Sequence, residues 1–187
     1  MALAALSIAS LSSISSGFGQ TLDTGSSITI AGGESVIMLG SWERRIAGLI
    51  GYSTWKSEPK LTRFFGPHMQ QVWKFYGIYH SGQDSQFQAD PTFGAGFLYG
   101  YRKSWENQSG RGLYFDLDWG FLMADKGSHD LPSDLNSTPS ASIGLLKPFG
   151  WDSVNLGVQY LHISNGGTTP HNRGENFFLL TVNWLLR

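Results

Sequence analysis

The last thirteen residues constrain the fold most. In residues 175–187 the even positions read Asn176, Phe178, Leu180, Val182, Trp184 and Leu186, while the odd positions end with Thr181, Asn183, Leu185 and Arg187. A period of two belongs to an extended strand with one apolar face. The same alternation runs through residues 154–164. There Val154, Leu156, Val158, Tyr160, His162 and Ser164 oppose Asn155, Gly157, Gln159, Leu161 and Ile163. It recurs in residues 93–103, 113–121 and 137–147, between clusters of Gly, Pro, Asn, Asp and Ser. Weaker versions place strands at 27–40, 44–55 and 69–79. The expected total is eight antiparallel strands.

Composition says which way the apolar face points. Charged residues make up only 14% of the 187, aromatics another 14%, and Gly occurs 24 times. An ordinary soluble surface needs about 25% charged residues. A soluble eight-stranded barrel of lipocalin type would turn its apolar face inward and show charge outside. Here the polar face carries mostly Gly, Ser, Asn and Gln, which suits a narrow packed lumen. The expectation is an all-β, eight-stranded antiparallel transmembrane barrel in an outer membrane, since a spanning strand needs only about 9–11 residues. No stretch of about 18 apolar residues is available for a spanning helix. With 13 Lys+Arg against 14 Asp+Glu there is no basic field for nucleic acid, and with no Cys there is no disulfide scaffold.

Residues 1–19 form a short apolar run followed by Ser and Gly, and read as a secretory signal that lacks its positive start. Residues 20–187 are then one barrel domain. With both termini periplasmic, connections after odd-numbered strands are extracellular and should be the longer ones. Residues 80–92, 124–136 and 165–174 fit as long loops, and 104–110 and 148–152 as short turns. Residues 56–68 do not fit, because they make a long connection on the periplasmic side. Asp116 and Asp118 should point into the lumen and pair with Arg102 or Lys103. His68, His80, His129 and His171 fall in or beside loops without metal-ligand spacing.

The chemistry gathers at one end of the last two strands. His162 and Ser164 leave the same face, with Cα atoms roughly 6.6 Å apart. Asn176 begins the same face of the neighbouring strand. Polar groups on a lipid-facing stripe either sit at headgroup level or have a chemical task. A Ser nucleophile, a His base and an amide that orients the imidazole are one such task.

The run His162-Ile163-Ser164-Asn165-Gly166-Gly167, followed by Asn172-Arg173-Gly174-Glu175-Asn176, resembles the C-terminal signature of the lipid A 3-O-deacylase (PagL-type, acyloxyacyl hydrolase-like) family. The resemblance covers residues 130–187 well, including Asp130, Pro132 and Pro139. It implies an outer-membrane barrel that hydrolyses an ester-linked acyl chain of lipid A in the outer leaflet of a Gram-negative cell, with no cofactor. It implies Ser164 as nucleophile, His162 as general base, and Asn165 with the Gly167 amide as oxyanion hole. The family pattern carries Glu fourteen residues after the His; here that position is Asn176, and Glu175 is one residue early. Either Asn176 orients His162, or a bulge brings Glu175 to it. Register favours Asn176, because a full one-residue slip would send Phe178 through Leu186 into the lumen. The alternative function is a non-catalytic barrel of the same family with a structural or binding role.

Overall fold

The computed structural model describes residues 24–36, 44–83, 89–128, 131, 133–168 and 174–186. The expected signal segment lies outside the described residues. So do the end of the first expected strand (37–40), Pro132, Asp130, His129, His171, Asn172 and Arg173.

Among the described residues the strands are β1 (Thr24–Ser35), β2 (Ile46–Ser57), β3 (Met69–Gln83), β4 (Ala89–Glu106), β5 (Gly112–Ala124), β6 (Leu135–Ser137), β7 (Ser140–Leu146), β8 (Val154–Ile163) and β9 (Glu175–Leu186). Each pairs antiparallel with its neighbours, and β1 pairs with β9, so the sheet closes. Nine strands make eight staves. β6 and β7 both pair with β5 in one continuous register, Phe121 opposite Ser137 and Asp118 opposite Ser140. They are parted at Thr138 and Pro139, where proline has no N–H for the ladder. The wall does not open there. Thr138 N donates to Gly120 O (2.8 Å), and Pro139 O accepts from His162 N (3.0 Å).

The alternation reads out as a barrel that is apolar outside and polar inside. Ile30, Ile50, Phe75, Leu117, Trp119, Ile143, Leu180 and Trp184 stand exposed on the outer face. Their sequence neighbours Thr29, Asp116, Asp118, Ser142 and Thr181 are buried in the lumen. In water each such outward side chain would forgo about 1.5–3 kcal/mol of burial; in hydrocarbon it forgoes nothing. No described helix is long and apolar enough to cross a membrane.

The lumen is filled in layers. Toward the rim where β1 starts and β9 ends, Arg102 forks onto Asp116 with Nε–Oδ1 2.7 Å and Nη2–Oδ2 2.9 Å. Lys74 Nζ bridges Asp116 (2.9 Å) and Asp118 (2.6 Å). A cavity of about 20 Å³ beside Lys74, Asp116, Gln159 and Thr181 has room for roughly one water. Next comes an apolar plug that includes Leu49, Tyr76, Ile78, Leu98, Leu122, Leu161, Ile163, Phe177 and Leu179. It stops the lumen from being a channel. At the far rim Arg45, fully buried, reaches Asp90 (3.2 Å) and Glu175 (3.3 Å).

Three expectations change. The carboxylates do pair with Arg102, but their second cation is Lys74. Lys103 faces outward and donates to the carbonyls of Phe65 (3.0 Å) and Pro67 (2.5 Å). The long loop expected at 80–92 is mostly strand, with Ser81 opposite Pro91 and Gly82 opposite Asp90. Backbone pairing continues past the apolar stripe, because a ladder needs no greasy side chains, so that β3 runs to Gln83 and β4 begins at Ala89. The misfit at 56–68 comes from a helix, α1 (Pro59–Phe65), between strands that lie where expected. Glu58 caps it by accepting from Lys60 N (3.2 Å), and Pro59 stands in the first turn, where its missing N–H costs nothing.

Candidate active site

β8 and β9 run side by side with His162 directly opposite Asn176 and Ile163 opposite Glu175. The ladder passes through this point without a bulge, so each side chain keeps the face its parity assigns. His162 Nδ1 lies 2.7 Å from Asn176 Oδ1. Tyr160 Oη donates to the same oxygen at 2.5 Å. Since Oδ1 is an acceptor, His162 carries its proton on Nδ1, and the Nε2 lone pair faces away from the amide. Asn176 is 2% exposed and His162 half-buried. The imidazole is therefore held at its Nδ1 edge.

Gly174 makes that fit possible. It adopts φ +70°, and a Cβ there would come within 2.8 Å of His162 Cε1. Any other residue would be strained and would push the ring out of place.

Ser164 follows β8 and bridges to Ser137 of β6. Ser137 N donates to Ser164 O (2.6 Å), and Ser164 N to Ser137 O (3.0 Å). The Ser164 hydroxyl sits 3.2 Å from the Ser137 hydroxyl. Among the described residues no hydrogen bond joins Ser164 to His162. The chain then turns sharply. Asn165 Oδ1 accepts from Gly167 N (2.9 Å), and Asn165 O from Thr168 N (3.2 Å). Gly167 has φ +81° and open space where a side chain would be.

Glu175 points the other way. Its carboxylate takes Ser128 Oγ (2.6 Å) and lies 3.1 Å from His80 Nδ1 and 3.3 Å from Arg45 Nε. Glu175, His80 and Arg45 are all buried. The carboxylate pins the start of β9 to β2 and β3 from inside the barrel. The structure thus brings His162, Ser164 and Asn176 to one patch of the outer face, places Asn165 and Gly167 on the turn beside it, and puts Glu175 in the lumen.

Two residues at this patch escape sequence reasoning. Tyr160 shares the parity of His162 and precedes it by two, so the signal was present but reads as more of the apolar stripe. Ser137 is brought in only by the pairing of strands distant in sequence, and no local pattern points to it.

Fold and patch define a membrane-spanning β-barrel that carries a hydroxyl, an imidazole and an orienting amide on its outer face. A family model described as lipid A 3-O-deacylase (PagL) matches residues 47–184. Among solved structures the chain is similar to the one described as the crystal structure of the outer membrane enzyme PagL, with 16% identity and a TM-score of 0.62 over 84% of this chain and 98% of that one. No curated protein matches. The chain belongs to the lipid A 3-O-deacylase (PagL) family, a family of Gram-negative outer-membrane hydrolases.

Proposed function

We propose that this barrel hydrolyses the 3-O-linked acyl ester of lipid A by a Ser/His mechanism. The observation that supports it most is the 2.7 Å contact between His162 Nδ1 and Asn176 Oδ1. It fixes the imidazole with Nε2 free to take a proton, on the face of the strand from which Ser164 also projects. The mechanism requires the Ser164 hydroxyl to leave its contact with Ser137 and turn toward Nε2.

The steps balance as follows. Ser164 Oγ attacks the ester carbonyl carbon while its proton passes to His162 Nε2. Charge develops on the carbonyl oxygen, and the Asn165 side-chain amide meets it. The Gly167 N–H, engaged at rest by Asn165 Oδ1, joins as the second donor when the turn rotates. The intermediate collapses, the sugar oxygen leaves with the proton from His162, and the acyl group stays on Ser164. Water then attacks the acyl-enzyme with His162 as base, and the free fatty acid departs. Neither step needs a cofactor. Asn176 does for His162 what Asn does in Cys-His-Asn proteases: it holds the tautomer without supplying a charge.

Position favours the substrate. With the termini on the periplasmic side, the end of β8 lies in the outer leaflet, where lipid A resides. A patch on the outer wall takes an acyl chain sideways from the bilayer. A second reading, a family barrel without activity, draws on the neutral Asn176 and on the Ser164–Ser137 contact. Lipid A extracted from cells expressing the protein decides between them. The wild-type barrel removes one acyl chain, and Ser164→Ala and His162→Asn do not. If the Ser164→Ala variant removes the chain as well, the Ser/His mechanism fails.

A further inference from the structure

The rim opposite the candidate site carries a feature that acyl hydrolysis does not use. None of the seven residues of α1 is buried, and Phe64 and Phe65 are 78% and 64% exposed. Two turns of helix are too short to hold together without a partner surface. Leu61, Phe64 and Phe65 fall within one arc of roughly 100° on the helix, and Lys60 and Arg63 both lie beside it on the Phe64 edge.

The anchoring of α1 shows on which side of the wall the helix ends. Lys103 stands on the outward file of β4, between Tyr101 and Trp105, which are 37% and 53% exposed. Its ammonium holds the carbonyls of Phe65 and Pro67 at the end of α1. The helix is therefore fastened on the outer side of the wall, not beneath the lumen. Beside it runs an aromatic belt. Trp73 packs on Tyr99 (centroids 5.7 Å), Tyr99 on Tyr101 (5.7 Å), and Lys56 Nζ lies 5.3 Å over Trp73. Such belts mark the membrane–water interface. The phenylalanines of α1 continue this one outward, and the nearby Glu58 is engaged as the helix cap.

We propose that α1 is an interfacial foot. It lies flat on the phospholipid leaflet nearest this rim, with Phe64 and Phe65 among the acyl chains and Lys60 and Arg63 at the phosphates, and so sets the depth of the barrel in the membrane. Continuity with the lipid-facing wall and the basic edge beside the arc identify the partner as a phosphate-bearing lipid surface.

The chain has no Cys, so one introduced Cys gives one labelling site. Nitroxide labels on Leu61→Cys, Phe64→Cys and Phe65→Cys are read by power-saturation EPR in the full barrel, in phosphatidylethanolamine/phosphatidylglycerol vesicles. All three should collide freely with oxygen and several-fold less often with a water-soluble nickel chelate than a label on Lys60→Cys. The Leu61 label in a Phe64→Ser/Phe65→Ser background, with folding confirmed by heat-modifiable gel mobility, should become several-fold more open to the chelate. Chelate access at 64 and 65 equal to that at 60 overturns the foot. So does shielding at 61 that survives loss of both phenylalanines. Spin–spin broadening that disappears on dilution with unlabelled protein overturns it in favour of a second copy.

Discussion

At the scale of single residues, Asn176 decides most. Its Oδ1 accepts from both His162 and Tyr160, so two donors converge on one neutral oxygen. A carboxylate there would keep both hydrogen bonds and stabilise the imidazolium that forms during acyl transfer. Asn176→Glu should therefore raise kcat, whereas Asn176→Ala should lower it by about 10²-fold, the lower end of what a positioned base contributes. Tyr160→Phe removes one of two donors and should cost about 2–10-fold, the worth of one net hydrogen bond. Rates of acyl release from lipid A in detergent micelles check all three. A rate for Asn176→Ala equal to wild type would remove Asn176 from the mechanism.

At the scale of elements, the lumen is what the sequence showed least. Parity alone marked Asp116 and Asp118 as inward, and the pairing with Arg102 was legible because Arg102 has the right parity on a neighbouring strand. Lys74 was not legible. Its strand has Lys74, Tyr76 and Ile78 facing the lumen, a mixture that blurs alternation because the lumen itself changes from ionic to apolar along its axis. The outer face was legible because lipid demands one kind of residue along its whole length. The Arg102–Asp116–Lys74–Asp118 cluster is buried, so breaking it is costly. Asp116→Ala leaves Arg102 buried without its forked partner and should cost about 3–5 kcal/mol, measured by reversible urea unfolding in lipid vesicles. By contrast the site's own register was legible in full. Phe178, Leu180, Val182, Trp184 and Leu186 must all face outward together, and that fixes Asn176 rather than Glu175 opposite His162. What no local pattern revealed is the contact between Ser137 and Ser164, which depends on the pairing of β6 with the end of β8.

At the scale of the whole molecule, one inversion organises everything else. The wall is apolar outside, so polar residues on it are rare, and those at the end of β8 and β9 stand out. Leu180, 71% exposed near the middle of β9, shows the cost of breaking this rule. Leu180→Arg should destabilise the barrel by about 2–4 kcal/mol if it lies near the bilayer midplane, and by almost nothing if the outer face meets water. Vesicle-based unfolding reads the difference. The layered lumen keeps the wall rigid and closed, and the buried Arg45–Glu175–His80 cluster holds the start of β9 where Asn176 must sit. In the proposed reaction this wall presents Ser164 and His162 to an acyl ester in the membrane. Mass spectrometry of lipid A from a Gram-negative host expressing the wild-type barrel or Ser164→Ala tests it most directly. Lipid A should be lighter by one ester-linked acyl chain with the wild type and unmodified with the variant. Unmodified lipid A from cells whose outer membrane holds the folded wild-type barrel would contradict it.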